Sequence, residues 1–289
     1  MPTQQKQRNR ILLIDCPDRA GLIHEISGVL FRHGANIVSN SEFVDRGSGR
    51  FFMRTEFAGS VAPDAVLRNE VRGLLPAEAE AAQVRLASSS GEDQNIVVLV
   101  TKEHHCLGEL LLRHAFGELG ARIRAVVSNH TTLAPLTEQF GIPFHHVGHE
   151  DVSRAKHEAL VREQIEAYQP EYIVLAKYMR VLSPAFVACY PRRIINIHHS
   201  FLPAFIGANP YRQAWERGVK LIGATAHFVT DDLDEGPIIA QDVLPVDHAH
   251  SAADMAHAGR DVEKIVLAKA LKLVFEERVF LSGRRVIIL

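Results

Sequence analysis

An amide, an imidazole and a carboxylate in the last third of the chain are of the types that acyl chemistry requires. Asn196 and His198 lie in one apolar run, and Asp234 lies in the later stretch H-F-V-T-D-D-L-D-E-G-P-I-I. Because side chains alternate along a strand, Asn196 and His198 are predicted to project from the same side. An amide can stabilise an oxyanion, an imidazole can carry a proton, and a carboxylate can orient the imidazole. The three residues are therefore a candidate site for acyl transfer.

Each of these residues also has a structural interpretation. A single Asn or His at a strand end is more often a hydrogen-bonded structural residue, and Asp234 before Glu235-Gly236 fits turn chemistry. The combination favours catalysis, because the strand that carries Asn196 and His198 is predicted to end where open α/β sheets bind ligands.

The elements around these residues alternate between strands and longer helices from residue 95 onward. This rhythm predicts an α/β, Rossmann-like domain with a mostly parallel, doubly wound sheet. The predicted elements are strands at 95–100, 122–127, 172–176, 193–197, 221–229 and 238–243, and helices at 106–119, 133–140, 154–169 and 252–277. We assign residues 95–289 to this domain.

A smaller domain precedes it. Strand-like runs at 10–15, 36–40, 49–57 and 83–86, with helices after residue 21 and at 63–75, give a βαββαβ order. That order predicts an α+β, ferredoxin-like sandwich with an antiparallel sheet over residues 8–88. The small and polar residues that follow predict a linker at 89–94.

Composition narrows the class of protein. The chain has 289 residues, is 47% hydrophobic, and carries 32 basic and 34 acidic residues for a formal charge of -2. This balance favours neither nucleic acid nor an anionic membrane as a partner. The three cysteines are far apart and predict neither a disulfide framework nor a zinc site, so we expect a cytoplasmic protein without a membrane span.

The sixteen histidines raise the question of a metal site. His24-Glu25 lacks a second histidine at the spacing of zinc proteases, because Gly28 stands there. His145, His146 and His149 have no acidic or thiol partner at ligand spacing, so we predict a surface loop. Cys106 lies beside histidines that can lower a thiol pKa, but the proposed chemistry needs no thiol, so we expect a packing or site-lining residue.

The stretches N-I-H-x-S-x-L-P and H-F-V-T-x-x-x-D-x-G-P-I-I, with L-A-K-Y-M-R-V-L-S-P before them, resemble the folate-dependent formyltransferase family. The resemblance covers residues 95–289. It implies that Asn196, His198 and Asp234 are catalytic and that a loop at 230–235 closes over the pterin. Folate is then the substrate, with no separate cofactor or metal. The implied substrate-binding residues are Met179, Arg180, Val181, Leu182, His227, Thr230 and Asp231.

The formyl acceptor is the harder question. Family members that act on glycinamide ribonucleotide carry a glycine-rich loop that holds a phosphate. This chain has V-T-K-E-H-H-C-L-G at 100–108 instead, and Glu103 would repel a phosphate. Water then remains as acceptor, and 10-formyltetrahydrofolate would be hydrolysed to tetrahydrofolate and formate. The string K-E-x-H-C-L-G, with His199 after His198, is similar to the formyltetrahydrofolate deformylases of the family.

The sequence leaves two alternative functions open. The first is a formyltransferase that uses a small amine acceptor, as in glycinamide ribonucleotide formyltransferases, and shares every catalytic residue. The second is a non-catalytic sensor of amino acids and folate.

The N-terminal domain resembles an ACT domain through D-C-P-D-R-A-G-L-I-H-E-I at 15–26 and G-A-N-I at 34–37. The resemblance implies pairing across subunits in a homo-oligomer and an amino-acid effector that regulates activity. The residues implied are Asp18, Gly21, Gly34 and Asn36. An oligomerisation module without a ligand is the alternative.

Overall fold

The computed structural model describes residues 9–59, 62–75, 82–88, 94–204 and 209–289. These residues form two compact units, one from the described parts of Met1–Gly91 and Glu276–Leu289 and the other from those of Glu92–Phe275. The predicted linker at 89–94 lies outside the described residues except for Gln94. Residues 276–289, which the sequence assigns to the second domain, group with the first unit.

The first unit contains a four-stranded antiparallel sheet in the order β2-β3-β1-β4. The βαββαβ order expected from the sequence is confirmed. Its elements are β1 Arg10–Pro17, α1 Leu22–Arg32, β2 Asn36–Asp45, β3 Arg50–Ala58, α2 Asp64–Leu74 and β4 Gln83–Ser88, with a C-terminal hairpin of β12 Val279–Ser282 and β13 Arg285–Ile288.

Strand β1 is buried on both faces of this sheet. Leu12 and Ile14 pack in one apolar cluster with residues of α1 and α2. Ile11 and Leu13 pack in a second cluster with Phe280 of the C-terminal hairpin. The second cluster explains why the C-terminal residues belong to this unit: they bury apolar surface that the two helices leave uncovered.

The second unit contains a seven-stranded sheet in the order β11-β10-β9-β8-β5-β6-β7. The five strands from β9 to β7 run parallel, and β10 and β11 add an antiparallel edge. The predicted mostly parallel, Rossmann-like sheet is confirmed. The elements are β5 Asn95–Val100, α3 His105–Ala115, β6 Arg122–Ser128, α4 Ala134–Glu138, β7 Phe144–His146, α5 Arg154–Glu166, β8 Tyr172–Leu175, α6 Pro184–Ala188, β9 Ile194–His198, α7 Pro210–Glu216, β10 Leu221–Phe228, β11 Ile238–Pro245 and α8 Ala252–Phe275.

The prediction of a surface loop around His145 and His146 is wrong. These residues lie in the edge strand β7, which pairs in parallel with β6, and His145 Nε2 is 2.7 Å from Tyr168 Oη. A strand of three residues is too short to show the alternation by which strands are recognised. His149 lies outside the strand, and its Nδ1 is 3.3 Å from Asn129 Nδ2.

Helix α8 is the longest helix of the described chain, with 24 residues. It packs on β9, β10 and β11. Within the described residues, neither α8 nor another helix is both long and apolar enough to cross a membrane.

Candidate active site

A cavity of about 780 Å³ opens at the carboxyl ends of β8 and β9. In the sheet, β6 lies on one side of β5 and β8 on the other, so the strand order switches direction at β5. Open α/β sheets bind ligands at the carboxyl ends of the strands beside such a switch. The structure brings together all the catalytic and substrate-binding residues expected from the sequence. Those lining the cavity are Asn196, His198, Asp234, Met179, Arg180, Val181, Leu182, His227, Thr230 and Asp231.

We call the three residues predicted to be catalytic, Asn196, His198 and Asp234, the reactive trio. The pairing of β9 with β10 and the loop after β10 bring them together. Asn196 lies opposite His227 in the register of the two strands, and Asn196 Nδ2 is 3.2 Å from His227 Nε2. His198 Nδ1 is 3.3 Å from Asp234 Oδ1. The same carboxylate oxygen is 3.7 Å from His227 Nε2. Residues distant in the chain therefore converge on one point.

His227 fixes the orientation of the Asn196 amide. Burial lowers the pKa of His227 below its ordinary value, although the Phe228 carbonyl and Asp234 act in the opposite direction. Its Nδ1 donates to the Phe228 carbonyl oxygen at 2.9 Å. In the neutral ring Nε2 must then accept from Asn196 Nδ2. The second hydrogen of that amide nitrogen remains available for a ligand.

Asp234 depends on a close passage of the backbone. A Cβ at Gly236 would lie 1.7 Å from the Phe228 carbonyl oxygen, so only glycine lets the loop approach β10 this closely. Asp234 itself has a left-handed φ of 57°. Burial raises the pKa of Asp234, but hydrogen bonding to His198 and the charges of the nearby histidines outweigh it, and the net pKa is lowered. The carboxylate is therefore ionised at neutral pH.

His198 lines the cavity, and one of its two ring nitrogens has no hydrogen-bond partner among the described residues. Its Nδ1 faces Asp234, while its Nε2 is buried without a hydrogen-bond partner among the described residues. Buried polar atoms are rarely left unpaired, and the exceptions mark functional positions. Nε2 is thus placed to exchange a proton with a bound molecule.

Apolar side chains that are more than half exposed surround the mouth of the cavity. The exposed fractions are 58% for Met179, 56% for Val181 and 57% for Leu233. Met179 N donates to Thr101 Oγ1 at 2.9 Å, and Arg154 Nη2 donates to the Val181 carbonyl oxygen at 2.9 Å. These hydrogen bonds hold the loop after β8 in place, so its apolar side chains can cover a flat aromatic ligand.

A second polar group in the cavity is missed by the sequence reasoning. Glu263 is only 1% exposed. It accepts from Tyr211 Oη at 2.6 Å, lies 2.8 Å from His105 Nε2, and is 3.1 Å from Lys177 Nζ. Burial raises its pKa, but these partners outweigh burial and lower the pKa to about 2. We call these four residues the Glu263 cluster.

One signal in the sequence could have found this cluster. Glu263 stands within the apolar stripe of α8, between the buried residues Val262 and Val266. A lone acidic residue on the buried face of a helix requires a partner. Lys177 gives a structural sign as well, because its φ of 62° is unusual for a residue with a side chain.

The histidines beside Cys106 in the sequence suggested a lowered thiol pKa, but the shift is in the opposite direction. Burial, followed by the Glu263 charge, raises its pKa well above the ordinary value. His105, Cys106 and Glu263 have possible ligand atoms within 4.8 Å of one another. The ammonium of Lys177 already lies against Glu263 and supplies positive charge there.

The residues implied in regulation fall at two ends of α1. Asp18 and Gly21 lie in the turn before the helix, and Gly34 and Asn36 lie at its junction with β2. An 11-residue helix separates the pairs by about 16 Å at 1.5 Å per residue. Within one chain the structure does not bring the four residues together.

Comparisons with known proteins agree with this architecture. Residues 94–271 match the formyl transferase family model, and residues 10–69 match the ACT domain. A formyltetrahydrofolate deformylase of Escherichia coli O6:H1 is 55% identical over 98% of this chain and 99% of its own length.

Solved structures give the same result. The crystal structure of a formyltetrahydrofolate deformylase from Pseudomonas syringae pv. tomato is similar with a TM-score of 0.93 and 39% identity, covering 99% of this chain and 96% of that one. Glycinamide ribonucleotide transformylase 1 from Symbiobacterium toebii has a TM-score of 0.67 and 33% identity, covering 71% of this chain and 98% of that one. Similarity over the full length, with both domains present, shows that the chain belongs to the formyltetrahydrofolate deformylase family.

Proposed function

We propose that this chain hydrolyses 10-formyltetrahydrofolate to tetrahydrofolate and formate, with Asn196, His198 and Asp234 as catalytic residues. One observation carries the proposal. The buried Nε2 of His198 has no partner among the described residues, while its Nδ1 is held by Asp234 and an oriented amide of Asn196 lines the same cavity. A formyl group bound in this cavity would lie beside a proton carrier and an oxyanion donor.

In this mechanism the pterin lies at the cavity mouth. Met179, Arg180, Val181 and Leu182 line one part of the mouth, and the loop with Thr230 and Asp231 lines another. Exposed apolar side chains there lose contact with water when the ligand binds, which favours binding. Folate is the substrate, and the reaction uses only water and the side chains of the protein.

Water attacks the formyl carbon and forms the new C–O bond. The second amide hydrogen of Asn196 stabilises the oxyanion, while His198, oriented by the ionised Asp234, accepts the proton of the water. The C–N10 bond then breaks as N10 takes a proton. Formic acid leaves as formate and releases one proton to solvent.

Water is favoured as the acceptor because the loop directly after β5, at residues 101–104, is not a glycine-rich phosphate cradle. Residues 101–104 carry Thr, Lys, Glu and His rather than glycines, and Glu103 lies 3.4 Å from Arg260. A phosphate-bearing amine would meet this carboxylate. This observation disfavours the transferase with a glycinamide ribonucleotide acceptor.

The test is to incubate the purified protein with 10-formyltetrahydrofolate and no added acceptor. We expect formate and tetrahydrofolate to appear in equal amounts, measured by a coupled formate assay and by absorbance. Consumption of the substrate only when an amine is added would refute hydrolysis. The absence of any turnover would favour the sensor alternative.

For residues 8–88 we propose a regulatory role through self-association. Strand β2 is a sheet edge, and it exposes 38% of Ile37, 53% of Val38 and 43% of Phe43. An edge with free backbone groups and apolar side chains can pair with the same edge of a second copy. Such pairing would bring two chains together at this domain, where an amino-acid effector could contact both.

The oligomeric mass in solution tests this role. We expect a homo-oligomer by light scattering, and a change in the rate of formate release when single amino acids are added. A monomer whose rate no amino acid alters would remove the regulatory assignment.

A further inference from the structure

The Glu263 cluster borders the reactive trio without leaving any of its carboxylate oxygens free. His199 links the two groups, since its ring centroid is 5.1 Å from that of His198 and 6.2 Å from that of Tyr211. We propose that the Glu263 cluster excludes amine acceptors from the cavity and so determines that water takes the formyl group. The inference rests on the proposed hydrolysis.

Charge is the first reason. A primary amine is an ammonium ion in neutral water, and a buried site can hold it only beside a carboxylate. Two acidic residues in the buried part of the cavity could serve, and Asp234 already faces His198. The other is Glu263. Lys177 Nζ, 3.1 Å from its carboxylate, takes the position that the ammonium of an acceptor would need.

Space is the second reason. A Cβ at Gly259 would lie 2.1 Å from Tyr211 Oη, so the hydroxyl of Tyr211 fills the notch that glycine leaves in α8. From this notch it donates to Glu263 Oε1 at 2.6 Å. The second oxygen, Oε2, faces both His105 and Lys177. An acceptor would have to displace several of these contacts, each of which is formed between buried groups.

The backbone of Lys177 gives independent support. Its φ of 62° is a conformation that residues with side chains adopt at an energetic disadvantage and that clusters at functional positions. The residue directly follows the end of β8, at the edge of the sheet where the cavity opens. The strained turn carries the ammonium into the cavity toward Glu263, and Lys177 as a whole is 7% exposed.

The test measures how the formyl group partitions between water and an amine. Purified protein receives 10-formyltetrahydrofolate with glycinamide or methylamine, and formate and the N-formyl amine are quantified by mass spectrometry. In the transfer reaction the ammonium first releases one proton to solvent and becomes a nucleophilic amine. The C–N10 bond then breaks, a C–N bond to the amine forms, and a second amine proton passes to N10. Wild-type protein should yield formate alone.

Lys177→Met keeps the length of the side chain and removes its charge. It should raise the ratio of N-formyl amine to formate by about tenfold or more, the scale on which one altered pocket contact changes discrimination. Tyr211→Phe, which keeps the ring, should raise it less. Lys177→Arg should retain the wild-type ratio because it keeps the cation.

Tyr190→Phe is the matched control for Tyr211→Phe. Tyr190 is buried outside the cavity lining, and its hydroxyl has no hydrogen-bond partner among the described residues. An unchanged ratio in both Lys177→Met and Tyr211→Phe would overturn the inference while leaving hydrolysis intact. A wild-type protein that releases no formate would instead contradict the proposed function itself.

Discussion

The reactive trio and the Glu263 cluster line one cavity, yet they differ in how completely their hydrogen bonds are satisfied. His198 Nε2 is buried and unpartnered among the described residues. Both oxygens of Glu263 are engaged by neighbours at 3.1 Å or less. A buried polar atom without a partner is unfavourable until a ligand supplies one, whereas a satisfied group gains nothing from a ligand. The difference separates the part of the cavity that we propose to react from the part whose polar groups are already paired.

The two groups share one property, which is local backbone strain. Asp234 in the trio and Lys177 in the cluster both have a left-handed φ, 57° and 62°. Each such residue is disfavoured by about 1–3 kcal/mol, and surrounding contacts must hold it in place. For Asp234 the contacts are two histidines, and for Lys177 the contact is a buried carboxylate.

The largest effect should come from breaking the satisfied group. Glu263→Ala leaves Lys177 and His105 buried beside no carboxylate, and it should reduce the free energy of unfolding by about 3–5 kcal/mol. Urea denaturation followed by circular dichroism measures this loss. Glu163→Ala, at an exposed position of α5, is the control and should change stability by less than about 0.5 kcal/mol. Equal stability of the two variants would show that the cluster is not a buried ion pair.

Breaking the reactive group should instead remove activity and preserve the fold. Asn196→Ala deletes the proposed oxyanion donor and should lower kcat for formate release by about 10²–10³. Asp234→Ala should nearly silence the enzyme, because His198 then loses the group that orients it. Asn129→Ala is the amide control, since Asn129 follows β6 and does not line the cavity. Formate release by Asn196→Ala at the wild-type rate would remove that residue from the mechanism.

The smallest effect concerns the histidine between the two groups. Burial, followed by the charge of Lys177, lowers the pKa of His199 from 6.5 to about 4. Between these pH values unfolded His199 binds a proton that folded His199 does not, so this contribution to stability is lost as the pH falls from about 6.5 toward 4. His199→Gln should retain about 1–3 kcal/mol more of its neutral-pH stability at pH 4.5 than wild type.

Urea denaturation of both proteins at pH 7.5 and pH 4.5 gives the comparison. Parallel losses of stability in the two proteins would contradict the lowered pKa. A loss specific to wild type would show that the pKa of His199 is lowered in the folded protein.

Much of the candidate site was accessible from residues alone. The period-two spacing of Asn196 and His198 predicts that both lie on one strand, and the D-x-G-P stretch points to Asp234. The role of Gly236 could not be predicted from the sequence. Glycine is required there because a Cβ would lie 1.7 Å from the Phe228 carbonyl oxygen. Such a close approach joins segments whose separation no periodicity encodes.

The C-terminal hairpin illustrates the same limit at the level of the fold. The continuous apolar run at 11–14 in β1 predicts a buried strand, but it does not say what covers Ile11 and Leu13. The structure covers them with residues of the hairpin more than 260 positions away, such as Phe280. Apolar burial is non-directional, so the sequence of a strand specifies that its face is covered and leaves the covering element open.

By itself the sequence determined the two-domain α/β architecture, the strand that carries Asn196 and His198, and the absence of a glycine-rich phosphate loop, since each depends on local pattern. Tertiary structure alone decided the position of Asp234 between His198 and His227, and the pairing of Glu263 with Lys177, His105 and Tyr211. Ion pairs and hydrogen bonds act over a few ångströms in space. Their partners are therefore chosen by the packing of strands and helices rather than by nearness in the chain.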